Sequence, residues 1–144
     1  MTPGPIVIVD ADCISVKFYA DVINAIGVSN ELRFFDSGPK ALEYLNSTDE
    51  KPFLILSETV LPGMDGIGFK EAIQNNKYLQ QKAIPFVFIS TDTKAETVRK
   101  AQQLNVQGYF EKPRELVYME QIMIRIFDYW EMCKHINNTH PHHL

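Results

Sequence analysis

The chain has 144 residues, 45% of them hydrophobic and 22% charged, with a net charge of −4; this is the balance of one globular domain with its own core. The negative charge argues against nucleic acid as a main partner, which calls for a basic stripe, and no run of about eighteen apolar residues offers a membrane span. Thr2-Pro3-Gly4-Pro5 leads straight into an apolar run without a signal-peptide pattern, and the two cysteines, Cys13 and Cys133, read as free thiols of a reducing, cytoplasmic setting.

Taken in order, Ile6 to Val9 is a β-branched run ending at Asp10, as expected of a central parallel strand. Asp12 or Ser15 is placed to cap a helix carrying Val16, Tyr19, Ala20, Ile23 and Ile26, which Gly27 stops. Leu32 to Phe35 is a second strand, and Asp36-Ser37-Gly38-Pro39 turns the chain into a helix bearing Ala41, Leu42 and Leu45. Phe53 to Leu56 is a third strand, followed by the polar triplet Ser57-Glu58-Thr59 and the turn at Pro62-Gly63. A third helix with Phe69, Ala72 and Ile73 loses its pattern between Gln74 and Lys82. Pro85 to Ile89 is a fourth strand, and Asp92 or Thr93 is placed to cap a helix with Ala95, Val98 and Ala101. Val106 to Phe110 is a fifth strand, and a last helix carries Leu116, Met119, Ile122, Met123, Ile126, Phe127 and Trp130.

Strands and helices alternate regularly, which argues for an α/β doubly wound parallel sheet with helices on both faces. The chain is short for a six-stranded sheet, so the flavodoxin-like five-stranded order 2-1-3-4-5 is expected. Asp10, Glu58, Ser90 and Lys112 then lie at the carboxyl ends of strands one, three, four and five, where open α/β sheets bind ligands. Their convergence on one cleft carries more weight than any one of them.

Val9-Asp10, the run Leu61-Pro62-Gly63-Met64-Asp65-Gly66, Ser90, and Gly108-Tyr109-Phe110-Glu111-Lys112-Pro113 stand in the order and spacing of a known family. Over about residues 5–130 the chain resembles the response-regulator receiver domain, the phosphorylation switch of bacterial two-component and phosphorelay signalling. The resemblance implies a single receiver over residues 1–130, a flexible tail over 131–144, and a stand-alone module that acts by protein–protein contact rather than as an enzyme. It places the phosphoacceptor at Glu58, phosphoryl contacts at Ser90 and Lys112, and a Mg²⁺ site at Asp10, Glu58 and Val60. Thr91, Tyr109 and Pro113 become switch or signalling positions, with Tyr109 swinging inward on activation and a cis Lys112-Pro113 bond. The implied partner is a histidine kinase or a downstream signalling protein, met through the face of the fourth helix, fifth strand and fifth helix, about residues 94–130.

Two positions depart from the family pattern. The acceptor is Glu58 where the family has aspartate, and Ala11 replaces the second of two adjacent acids. The extra methylene pushes the carboxylate roughly 1.5 Å further into the cleft, and a misplacement of about 1 Å can cost a hundredfold in transfer. Losing a carboxylate at Ala11 removes one oxygen ligand from an ion that demands near-octahedral geometry. Weak Mg²⁺ binding, with no cofactor required, and slow or absent phosphorylation are therefore expected. Instead, the longer carboxylate is expected to reach Lys112 and Ser90 and partly mimic the phosphorylated state, as a pseudo-receiver.

Blander readings stand beside these. Glu58 forms an ordinary ion pair with Lys112, Asp10 and Ser90 only cap backbone groups, and Tyr109 is plain core. His140, His142 and His143 belong to the tail rather than to a metal site. Two other functions compete: a receiver that still accepts phosphate from a histidine kinase, with Ser57, Thr59 or Asp65 as further acceptors, and a small flavin- or nucleotide-binding enzyme on the same fold. The second wants a glycine- and hydroxyl-rich loop after strand one, whereas Asp10-Ala11-Asp12 repels an anion.

Overall fold

A computed structural model describes residues 4–133. The chain runs β1 (Ile6–Val9), α1 (Cys13–Ala25), β2 (Leu32–Phe35), α2 (Gly38–Ser47), β3 (Leu54–Ser57), α3 (Gly66–Gln74), α4 (Lys77–Lys82), β4 (Phe86–Ser90), α5 (Ala95–Gln102), β5 (Gly108–Glu111) and α6 (Leu116–Met132). All strand pairings are parallel and the sheet order is β2-β1-β3-β4-β5, as the alternation predicts. The three inner strands are buried on both faces, which explains their unbroken apolar runs.

The period-two alternation of the strands divides the core in two. Ile6, Ile8, Leu54, Leu56, Val87 and Ile89 face α1 and α6 through Tyr19, Ile23, Met123 and Phe127. Val7, Val9, Ile55, Phe86 and Phe88 face the other side, under Ala41, Leu45, Phe69, Leu79 and Ala101. The α6 stripe of Met119, Met123 and Phe127 is thus core packing, whereas Tyr129 is 61% exposed.

The structure corrects the expected elements in four places. The polar stretch after Gln74 holds a short helix, α4, where no periodic pattern exists because Leu79 is its only buried residue. It is held by its ends instead. Asn76 caps the Leu79 N–H at 3.1 Å, and the Lys82 ammonium reaches the carbonyls of Leu45, Thr48 and Glu50 at 3.4, 3.1 and 3.3 Å. Neither Asp92 nor Thr93 caps α5. Its N-cap is Lys94, and Asp92 accepts from the Lys94 N–H at 3.0 Å and the Thr97 hydroxyl at 2.8 Å, which shapes the turn before the helix. Lys112-Pro113 is trans, since none of the described peptide bonds is cis; the trans form is the lower in energy by about 0.5–1 kcal/mol. Finally, Glu131 and Met132 continue α6 past Trp130, and the rest of the expected tail, with His140, His142 and His143, lies outside the described residues.

The loop from β3 to α3 shows why Leu61-Pro62-Gly63-Met64-Asp65-Gly66 has its composition. Gly63 takes φ +71°, a left-handed conformation that suits glycine. Asp65 caps α3 by accepting from the Gly68 N–H at 2.8 Å. Gly66 is pressed against the strand end: an added Cβ there would lie 2.3 Å from the Glu58 carbonyl oxygen and 2.7 Å from the Thr59 Cα. The loop is therefore clamped to the backbone that carries Glu58. Gly66→Ala is expected to destabilise the domain by about 1–3 kcal/mol, measured by urea unfolding.

Candidate functional site

Each cluster member is set by the end of a strand. The Glu58 N–H donates to the Val9 carbonyl at 3.0 Å, continuing the β1–β3 ladder one step past the strand. The Lys112 N–H likewise donates to the Ser90 carbonyl at 2.8 Å, extending β5 along β4. Asp12 caps α1 through the Ile14 N–H at 3.0 Å, so its carboxylate is held at the helix start, and Ser15 is a helix residue rather than a cap.

Asp10, Glu58, Ser90 and Lys112 meet. The Lys112 Nζ lies 2.6 Å from Asp10 Oδ2 and 2.9 Å from Glu58 Oε1, with side chains only 10%, 3% and 4% exposed in that order. It also donates to Ser15 Oγ at 3.2 Å. Glu58 Oε2 accepts from the N–H groups of Thr59 at 2.7 Å and Val60 at 3.1 Å and from the Ser90 hydroxyl. Glu58 Oε1 accepts from Thr91 through its N–H at 3.3 Å and its hydroxyl at 3.4 Å. Donors from the end of β4 and from the loops after β3, β4 and β5 thus close around one carboxylate.

The electrostatics follow from burial and these bonds. Burial pushes the Glu58 carboxyl up, but hydrogen bonds from Ser90, Lys112 and the Val60 N–H outweigh it and hold the group below its ordinary value. For Asp10 burial prevails over Lys112 and the Asp12 N–H, so its carboxyl is held above its ordinary value. Burial works against the charge on Lys112, yet the hydrogen bonds it donates to both carboxylates keep its ammonium above the ordinary lysine range.

A divalent cation fits this arrangement poorly. Ala11 supplies no ligand, and Asp12 is committed to its cap. One Asp10 oxygen accepts the Asp12 N–H at 2.9 Å and the other accepts Lys112, so both are engaged, as are both oxygens of Glu58. Among the described residues no group of three or more His, Cys, Asp or Glu is placed to hold a metal. Two carboxylates against one ammonium leave one net negative charge, where a third carboxylate at position 11 would leave two. The Val60 side chain is 59% exposed, and its backbone reaches the cluster as a donor to Glu58.

Tyr109 is turned toward the cluster. Its hydroxyl donates to the Asp92 carbonyl and lies 3.5 Å from Thr59 Oγ1, and its ring packs on Phe88 with centroids 5.6 Å apart. Two residues given other roles by the sequence, Ser15 as a cap and Thr59 as an alternative acceptor, complete the set. Ser15 was visible only as a cap, although it lies one helical turn after Ala11. Thr59 is 4% exposed, and its hydroxyl sits 2.5 Å from Ser90 Oγ; a hydroxyl beside an acid at a buried strand end was its only sequence signal. Pro113 has no N–H to offer and follows Lys112 out of the site.

The family model described as response regulator receiver domain matches residues 6–124. Chemotaxis protein CheY-3 of Vibrio cholerae is 27% identical over 123 residues, covering 85% of this chain and 91% of that protein. The phosphorylated cyanobacterial phytochrome response regulator RcpA shares the fold at a TM-score of 0.82, with 23% identity over 92% of this chain and 97% of that one. The Mn²⁺-bound form of response regulator Rcp1 aligns at a TM-score of 0.77 and 26% identity, over 92% of this chain and 98% of its own.

Removing Lys112 leaves two buried carboxylates without a counter-charge. Lys112→Met is expected to cost about 3–5 kcal/mol at pH 7. The carboxyl groups then bind protons more tightly in the folded chain than in the unfolded one, so the variant's own stability rises as pH falls from 7 to 4. In the wild type the two carboxyls oppose each other: Glu58, held below its ordinary value near 4.5, loses stability on acidification, whereas Asp10, held above its own, gains it. Urea unfolding of both chains at the two pH values is expected to show the steeper acid-side gain in Lys112→Met.

Proposed function

The chain belongs to the response regulator receiver domain family, and from that premise we propose that it is an atypical receiver whose signalling surface is biased toward the active arrangement by Glu58 in place of a phosphoryl group. The observation that carries this reading is the occupancy of Glu58. Its carboxylate takes the Ser90 hydroxyl and the Lys112 ammonium, the two groups the family resemblance assigns to the phosphoryl oxygens, together with the N–H groups of Val60 and Thr91. An anion is thus built into the place where a transferred one would be held. It carries about one negative charge where phosphate carries up to two. The inward Tyr109, bonded to the Asp92 carbonyl, agrees with the arrangement the resemblance links to activation.

The same contacts work against phosphotransfer. In-line transfer depends on positioning and on charge stabilisation, much of it from metal. Here the acceptor oxygens are engaged, and the ammonium of Lys112 stands between the two carboxylates that a cation would bridge. Mg²⁺ binding is weak and no metal is required for the folded site. Receiver domains are signalling modules that meet histidine kinases or downstream proteins. For this chain we assign that contact to the face of α5, β5 and α6, which carries the exposed Leu116, Val117 and Tyr118.

Incubation with acetyl phosphate and Mg²⁺, read by intact mass, is expected to leave the wild-type chain unmodified. The double variant Ala11→Asp/Glu58→Asp, which restores both family residues, is expected to gain one phosphate. Stoichiometric uptake by the wild type on Glu58 would overturn the proposal. Glu58→Gln keeps the shape but removes the charge. It is expected to release Tyr109, seen as altered ring resonances in NMR spectra, whereas Glu58→Gln spectra with Tyr109 unmoved would show that the charge does not hold the ring.

A further inference from the structure

At the opposite end of the sheet from Glu58, α3, α4 and the chain entering β4 and β5 enclose a groove of about 270 Å³. Its walls include Ile73, Leu79 and Ile84, and its polar groups include Lys70, Gln74 and Gln107. Lys70 is only 9% exposed. Among the described residues its ammonium has no ion pair or hydrogen bond, and it lies over the face of the Phe86 ring, 5.2 Å from the centroid. One turn later on the same helix, Gln74 Oε1 is buried and without a hydrogen-bond partner.

Both groups are costly as they stand. A buried ammonium loses its hydration, and burial alone draws Lys70 below the ordinary lysine range. A cation–π contact returns about 0.5–2 kcal/mol, less than the several kcal/mol that desolvating an ion costs. A buried, unsatisfied amide oxygen is itself uncommon in folded proteins. The two groups are complementary in what they lack: Lys70 wants an acceptor, preferably anionic, and Gln74 wants a donor. They sit at i and i+4, hence on one face of α3 and within reach of one small molecule. The apolar walls suit a hydrocarbon group between them.

We propose that this groove is a ligand site, independent of the Glu58 cluster, for a small organic acid that joins a carboxylate, a neighbouring N–H or O–H donor and an apolar side chain. The carboxylate pairs with Lys70, the donor satisfies Gln74 Oε1, and the side chain lies against Ile73, Leu79 and Ile84. Binding neutralises the one buried cation of the helix and removes its orphaned acceptor in a single step.

N-acetyl-L-leucine has these three parts, and N-acetyl-L-leucine amide lacks only the charge. Titration of the ¹⁵N-labelled full chain with the acid is expected to give saturable shifts of amides in residues 70–84 and 105–107. The amide is expected to bind at least tenfold more weakly, and Gln74→Leu to weaken the acid about tenfold. Lys70→Met is expected to abolish the shifts while raising the thermal midpoint, since it removes an unpaired buried charge; that rise also shows that the variant is folded. Absent or non-saturable shifts mean that the groove holds water only and overturn the proposal. Equal binding of acid and amide, or unchanged binding by Lys70→Met, overturns it too.

Discussion

The ammonium of Lys112 is shared by two carboxylates that separate strands bring into the interior. Each of those acids, left alone, would cost several kcal/mol to bury. With Lys112 within 2.6 and 2.9 Å, the ends of β1, β3 and β5 are tied to one point. Sequence separation makes the tie more consequential: Lys112 and Asp10 lie 102 residues apart. The sheet order puts β1 beside β3 and leaves two strands, β3 and β4, between β1 and β5, a gap that the long lysine side chain spans. The fold positions the charges, and the charges in turn hold the strand ends in register.

That dependence explains why Glu58 is tolerated. An acid one methylene longer needs partners further into the cleft, and it finds them. Ser90, Lys112 and three backbone N–H groups lie around its two oxygens. Ala11, which brings no carboxylate of its own, belongs to the same balance. With one carboxylate fewer, a single ammonium leaves little excess charge for a metal ion to compensate. On the reading proposed above, Glu58 and Ala11 are therefore coupled, each making the other less costly.

Much of this was legible in the sequence because parallel strands buried on both faces announce themselves as short apolar runs. Ile6–Val9 and Leu32–Phe35 have the same bounds in sequence and structure, and Asp10, Glu58, Ser90 and Lys112 meet because each directly follows or ends a run. What escaped was held by groups without periodicity. α4 has one buried residue and depends on the reach of Lys82 across to the end of α2. Thr59, named from sequence only as an alternative acceptor, and Ser15, named only as a cap, join the cluster through side-chain geometry that spacing does not encode. Lys70 hides within an apolar helix face, where a lysine stem passes for hydrophobic surface.

The aromatic column behind the site has a mechanical consequence. Phe86 and Phe88 meet edge to face at 4.9 Å, and Phe88 is followed by Tyr109 at 5.6 Å. Phe88 is fully buried and abuts the position of Gly66, where a Cβ would come within 2.9 Å of its ring. Tyr109 therefore stops one end of a filled stack with no slack behind it. If the ring turned outward, Phe88 would face a void, and interior voids are penalised by about 24 cal/mol per Å³. The phenol is held in place by what its exit would leave empty as well as by the carbonyl it touches.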